Sequence, residues 1–210
     1  MKKFISLIIV LFFIALSLSG CKNNSDNNNS VNNSKINIFS DNNVSGNVSN
    51  YAEPIEVVKE EISSFRTKLT KDYSDKDRDS NIELACSTLD GTIVDSKETF
   101  SFWDTIGNPT EAKGYKKAKA FDSDGDIIEA YGGGLCQLST TLYNAILELD
   151  DFNITERHPH SNEVPYISEG KDAAVSFNSS DLKFKNNSDY NIEIKAEIID
   201  NEVEIKILKF

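Results

Sequence analysis

Three features of the sequence predict a single α+β domain built mainly of antiparallel sheet with two helices. Near the C-terminus Ile192, Ile194, Ala196 and Ile198 alternate with polar residues, the pattern of a strand with one buried face. Asp200-Asn201 then supplies a tight turn into Val203, Ile205 and Ile207, a second alternating strand and hence a hairpin. Two other stretches carry helical spacing instead. Ile82, Ala85, Cys86 and Leu89 share one face within Ser80 to Leu89, and Leu135, Leu138, Leu142, Ile146 and Leu149 share one within Leu135 to Leu149.

Taken in order, Met1-Lys2-Lys3 and the apolar run Phe4 to Leu18 are too short for a comfortable membrane span and read as an export leader, residues 1–20. Leu18-Ser19-Gly20-Cys21 resembles a bacterial lipobox. The resemblance implies that Cys21 is diacylated and becomes the N-terminus. More than one acyl chain gives stable membrane anchoring. Residues 21–52 are rich in Asn, Ser and Asp and read as a disordered tether, reaching roughly 30 Å as a coil. The folded domain is expected over 53–210. Glu53 to Glu61 reads as a short helix or lead-in, Ile62 to Leu69 as a strand with imperfect alternation, and Ser74 to Asp79 as a charged loop, with Asp79 or Ser80 able to cap the helix that follows.

Gly91 closes the first helix, and Thr92 to Val94 and Thr99 to Trp103 read as strands. A hairpin is expected over Ala118 to Ala130, around Asp122-Ser-Asp-Gly-Asp. Its alternating acids invite a calcium-loop reading, but the glycine stands at the fourth position rather than the sixth, which favours a turn. After the second helix, Asn153 to Ile167 is extended, followed by strands at Ala173 to Phe177, Leu182 to Lys185, Tyr190 to Ile199 and Val203 to Leu208. No motif calls for a cofactor or a metal.

The formal charge of −12, or −14 without Lys2 and Lys3, argues against nucleic acid and against polybasic attachment to lipid. Membrane contact is therefore assigned to lipidated Cys21. Cys86 reads as a buried structural thiol. A Cys86–Cys136 disulfide is the alternative, ranked below free thiols because a domain of this size needs no crosslink.

The chemistry concentrates at Gly132-Gly133-Gly134-Leu135-Cys136. The glycine run feeds a helix whose first turn holds Cys136, beside Thr140 and Tyr143 on the wheel. Unpaired first-turn N–H groups favour a thiolate, and Gly133 and Gly134 can admit a substrate backbone or offer N–H groups to an oxyanion. Gln137 is a further carbonyl-polarising candidate. The chain's two histidines, His158 and His160, flank Pro159 just past this helix, where a short return can bring an imidazole to the thiol. Asp172 can orient that imidazole. Arg157 can bind a peptide carboxylate or serve as a structural partner of Glu156 or Asp172. Trp103 and Tyr115 are candidates for a sugar- or peptide-binding face, with core packing favoured for Trp103.

The stretch Gly-Gly-Gly-Leu-Cys-Gln-Leu-Ser-Thr-Thr-Leu-Tyr-Asn-Ala resembles the central signature of the VanW-like family. Asn81-Ile82, Thr99-Phe100-Ser101-Phe102, Glu156-Arg157, His160-Ser161, Tyr166, Asp172-Ala173-Ala174 and Asp181-Leu182 extend the likeness over roughly 60 to 208. The Glu-Arg-x-x-His-Ser pattern favours His160 over His158. The resemblance implies an envelope protein acting on or binding peptidoglycan, on the outer face of the cytoplasmic membrane or in the wall. As an enzyme it would be a thiol acyl transferase or peptidase on wall peptides, with Cys136 as nucleophile, His160 as proton shuttle and Asp172 as orienter. Hydrolysis and transpeptidation stay equally open. The alternative is a non-catalytic wall-binding or envelope-stress module in which Gly132 to Cys136 shapes a pocket.

Overall fold

The computed structural model describes residues 57–69, 76–121 and 125–210, and its organising element is a four-stranded antiparallel sheet. Its strands are β1 (Glu60–Lys68), β2 (Thr92–Val94), β8 (Ile192–Ile199) and β9 (Glu202–Lys209), in the order β1-β9-β8-β2. Asp200 and Asn201 both have positive φ, 51° and 65°, as a two-residue hairpin turn that follows the sheet's own twist requires. Ile192, Ile194, Val203, Ile205 and Ile207 bury one face of this hairpin completely.

A second sheet has the order β3-β7-β6, from β3 (Thr99–Ser101), β6 (Phe152–Glu156) and β7 (Lys183–Asn186). The hairpin of β4 (Lys117–Phe121) and β5 (Ile127–Tyr131) stands by itself as a third. The helices are α1 (Lys76–Leu89), the short α2 (Phe102–Ile106) and α3 (Leu135–Leu147). The architecture is the α+β arrangement expected, with mainly antiparallel sheet. No helix among the described residues is long and apolar enough to cross a membrane.

Several details depart from expectation for identifiable reasons. Thr99 to Trp103 is a strand only to Ser101, because the Ser101 hydroxyl caps α2 by accepting from the Asp104 N–H. Phe100 and Phe102 therefore enter the core from different elements. The first helix begins at Lys76, so Asp79 and Ser80 lie within it rather than at its cap. Ala173 to Phe177 forms single bridges, Ala174 to His158 and Ser176 to Ser180, instead of a full strand. Strand β1 carries a register shift between Glu61 and Ser63. Its inner positions include hydroxyls that bond α3: Ser63 to the Ala145 carbonyl at 2.7 Å and Thr67 to Thr141 at 2.8 Å. Hydroxyls where aliphatics would alternate explain its faint sequence pattern.

Tyr115 is sealed in the core and is not part of a binding face. The leader and tether assignments at 1–52, and the Asp122 to Asp124 tip, lie outside the described residues.

Candidate active site

Helix α3 is buried nearly all round, including residues that seldom enter a core. Leu135, Leu138, Leu142, Ala145 and Ile146 pack apolarly, while Gln137, Ser139, Thr140, Thr141 and Asn144 are also buried. A buried polar group costs about 1–3 kcal/mol unless it finds a partner, and these find theirs in neighbouring chain segments. Ser139 Oγ donates to the Ala173 carbonyl at 2.6 Å, and the Ala173 N–H donates to Thr140 Oγ1 at 2.9 Å. Asn144 Nδ2 donates to the Lys171 carbonyl at 2.7 Å. The polar side of α3 is thus a template that holds residues 171–173 alongside the helix.

That docking places Asp172 and, through it, His160. Asp172 Oδ2 accepts from the His160 backbone N–H at 2.6 Å and lies 2.7 Å from ring Nδ1. A carboxylate can only accept, so Nδ1 carries the proton and Nε2 is left as the acceptor. The Cys136 side chain lies near enough to the His160 ring to bear on its protonation. Cys136 is half-buried on the first turn of α3, and its sulfur sits against the backbone of Val175, 3.4 Å from the carbonyl and 3.5 Å from the N–H. Thiol, imidazole and carboxylate are therefore neighbours, drawn from three different stretches of chain.

Burial by itself would lower the His160 pKa, but the neighbouring Cys136 sulfur and the Asp172 carboxylate outweigh it and raise the value above that of a free histidine. Burial pushes Asp172 the other way from its observed direction. The His160 backbone and ring bonds overcome it and hold the carboxyl below its usual range. A raised histidine binds protons more tightly in the folded state, so its stabilisation is complete below about pH 6.5 and is lost as pH rises through the folded value. A depressed aspartate contributes above about pH 3.9 and is lost as pH falls through its folded value. The pair stabilises the fold most between those limits. Thermal melts from pH 3 to 9 are expected to show the largest gap between wild type and His160→Ala within that window, narrowing on both sides. A gap that does not vary with pH would contradict the pairing.

Arg157 takes the structural one of its two expected roles. Its Nη2 donates to Asp172 Oδ1 at 2.7 Å and its Nε to the Asp172 carbonyl at 2.6 Å, with the guanidinium over the Tyr143 ring. It braces Asp172 from behind. His158 turns to Glu156, 3.0 Å away. Lys183 first, and then His158, hold Glu156 at about 2. The two histidines thus engage different carboxylates, although both border the same cleft.

Gln137 is fully buried, and its amide is committed inward. Nε2 donates to Thr67 Oγ1 at 3.0 Å and the Lys68 carbonyl at 3.1 Å, while Oε1 accepts from Arg78 at 2.8 Å. It ties α3 to β1 and α1 and is not turned toward a substrate carbonyl. Two of the three glycines are also occupied. The N–H groups of Gly132 and Gly133 donate to the Lys116 and Ala130 carbonyls. A Cβ on Gly133 would meet the Ala118 carbonyl oxygen at 2.6 Å, so the close approach this glycine permits is made by β4 of the protein itself. Gly134, with φ 110°, is the residue from which α3 starts.

Cys136 and His160 open into a cleft of about 920 Å³. The β4–β5 hairpin forms one wall, with Phe121 edge-on to the His160 ring at 6.2 Å and the Gly125 carbonyl bonded by Asn162. Trp103 and Phe177, in edge contact at 5.6 Å, form another. Trp103 is thus half in the core and half in the cleft, anchored by its indole N–H on the Ser180 carbonyl. The described lining includes Arg78 and Lys119 but no Asp or Glu, in a chain with 34 acidic residues against 22 basic ones. Tyr166 also lines this space, and nothing in its local sequence, Val-Pro-Tyr-Ile, singled it out for a role. Cys86 is separate. It is buried in the core, free like Cys136, and burial, with Asp90 and Glu83 nearby, pushes its thiol up to about 12. The disulfide alternative is not realised. No cluster of metal-binding side chains occurs among the described residues.

A family model described as VanW like protein matches residues 77–208, from α1 to the last strand. The chain belongs to this family. It is 40% identical over 124 residues to YoaR, an uncharacterized protein of Bacillus subtilis, covering 59% of this chain and 40% of that one. It is 30% identical over 132 residues to the vancomycin B-type resistance protein VanW of Enterococcus faecalis, covering 59% of this chain and 46% of the relative. The chain thus spans less than half the length of these curated relatives. No solved structure matches it.

Proposed function

We propose that this family member is a cell-envelope protein, exported and held to the membrane through lipidated Cys21, whose cleft processes peptidoglycan peptides by thiol acyl transfer. The observation that carries the reading is the convergence of Cys136 and His160 in one cleft, with Asp172 bonded to Nδ1 of the same imidazole from outside it. A nucleophile, a base and an orienting acid within hydrogen-bond reach are what covalent acyl chemistry requires. The name of the E. faecalis relative, which ties that protein to vancomycin resistance, supports an envelope setting. A cleft whose described lining bears cations and no carboxylates suits a substrate with free carboxylates, as wall peptides have.

In this reading His160 takes the Cys136 proton at Nε2 as the sulfur attacks a peptide carbonyl. The imidazolium then gives the proton to the departing amine, leaving a thioester. Water or an incoming amine resolves it, giving hydrolysis or transpeptidation. Asp172 holds the ring in the needed tautomer throughout, and Arg157 steadies Asp172. The test is intact-mass spectrometry of the protein mixed with isolated muropeptides and quenched in acid. An adduct on Cys136, released by hydroxylamine, supports the reading. Tight retention on purified wall with an unmodified Cys136 would favour the binding module instead.

A further inference from the structure

The two histidines stand on one extended segment and are fastened to the same neighbouring stretch of chain. The His158 carbonyl accepts from the Ala174 N–H at 2.8 Å, and the His160 N–H donates to Asp172 at 2.6 Å. Val175, next along that stretch, is the residue whose backbone meets the Cys136 sulfur. Each ring is paired with its own carboxylate, but through opposite nitrogens. Asp172 holds His160 by Nδ1, whereas Glu156 Oε1 lies 3.0 Å from His158 Nε2. Glu156 also accepts from the Asp181 N–H at 3.0 Å and from Lys183 Nζ at 2.9 Å. With Lys183 foremost, these contacts keep it ionised. An ionised carboxylate only accepts, so His158 carries its proton on Nε2 and Nδ1 is its basic nitrogen. Among the described residues this ring has no other side-chain partner. The His158 side chain is 44% exposed, against 5% for His160, so it can pass a proton from the cleft to solvent.

We propose that His158 is a second base of this cleft, which takes a proton from a primary amine arriving to resolve the thioester. The assignment rests on the acyl-transfer reading above and makes the acceptor an amine rather than water. A primary amine is mostly an ammonium ion near neutral pH, so it has two protons to lose. Only one of them ends on the departing sulfur. The other passes first, to His158 Nδ1, and the Glu156 carboxylate stabilises the imidazolium that results. The freed nitrogen lone pair then attacks the thioester carbon. As the carbon–nitrogen bond forms, the carbon–sulfur bond breaks and the sulfur keeps the electron pair. His160 carries the remaining proton from nitrogen to sulfur, which restores the thiol. His158 returns its proton to solvent, and the product is an amide. Water as acceptor needs only one shuttle, which His160 already supplies.

The experiment follows p-nitrophenyl acetate with glycinamide as the acceptor, in wild type and His158→Gln. A nitrophenolate burst reads formation of the acetyl-enzyme. N-acetylglycinamide, measured by mass spectrometry above a Cys136→Ser background, reads its transfer to the amine. Glutamine can still donate to Glu156 but is no base. The variant is expected to keep its burst rate within about threefold while amide formation falls about 10²–10⁴-fold, the range for a lost general base. Equal amide formation by both proteins overturns the role of His158. A parallel fall in burst and amide also overturns it, showing that His158 merely supports the site. A wild type that bursts but forms no amide above background overturns this inference and leaves acyl transfer to water standing. A wild type without a burst overturns it together with the acyl-transfer reading.

Discussion

His160→Ala is expected to slow acylation of Cys136 by about 10²–10⁴-fold near neutral pH, the range for losing a positioned general base. The same substitution slows alkylation by iodoacetamide, because it removes the neighbouring imidazole that takes the thiol proton. Cys136→Ser abolishes modification by either reagent at this position, with Cys86 sealed in the core and silent in the native state. The reasoning rests on connectivity. Asp172 Oδ2 occupies Nδ1, so Nε2 is the one ring nitrogen left to serve the neighbouring sulfur. Asp172→Asn keeps the side chain's size but can present an amide N–H toward Nδ1, which would place the ring proton on Nε2 and block its role as base. Its loss should approach that of His160→Ala in acylation, while leaving His160 in place. Peptide mapping of the labelled protein identifies the site, and stopped-flow rates give the ratios. If His160→Ala reacts as fast as wild type with both reagents, the two side chains are neighbours without a shared function.

The second large effect concerns stability. Gly133→Ala places a Cβ 2.6 Å from the Ala118 oxygen and 2.7 Å from the Ala118 carbon and the Lys119 oxygen, all backbone atoms of β4. Backbone in a paired strand cannot swing aside as a side chain can, so the hairpin must move off the start of α3. The expected cost is about 2–3 kcal/mol, the upper part of the range for overpacking, which lowers the melting temperature by about 5–10 °C for a domain of this size. Cys136 reactivity should change as well, since the displaced hairpin carries Phe121 away from His160. Gly170→Ala is the control. It has positive φ, 79°, but nothing within 4 Å of the added carbon, so it pays only the backbone term of about 1–2 kcal/mol. Differential scanning calorimetry of the two variants separates crowding from conformation. Equal melting points would mean that the strand yields and that the close approach has little energetic weight.

These expectations divide between what is visible along the chain and what is not. The β8–β9 hairpin, α1 and α3 were legible because their signals are local. Period-2 and period-3.6 patterns and a turn whose residues tolerate positive φ need no distant partner to be recognised. Cys136 at the head of α3 was legible for the same reason. Other features depend on partners far away in sequence. Thr67 and Ser63 look like breaks in a strand until α3 supplies the acceptors. Gln137 looks like a substrate donor until Arg78, Thr67 and Lys68 consume its amide. The Gly133 space looks open until β4 fills it.

The sequence by itself determined the α+β class, the central helix, and the residue types able to run thiol chemistry, because periodicity and side-chain pKa are properties of short stretches. Only the tertiary structure decided which imidazole serves which carboxylate, that Arg157 braces Asp172, and that the glycines are consumed in packing. Several of those outcomes turn on partners distant in sequence, as His160 and Asp172 are at 12 residues, and a donor's role is set by whichever acceptor the fold brings within about 3 Å.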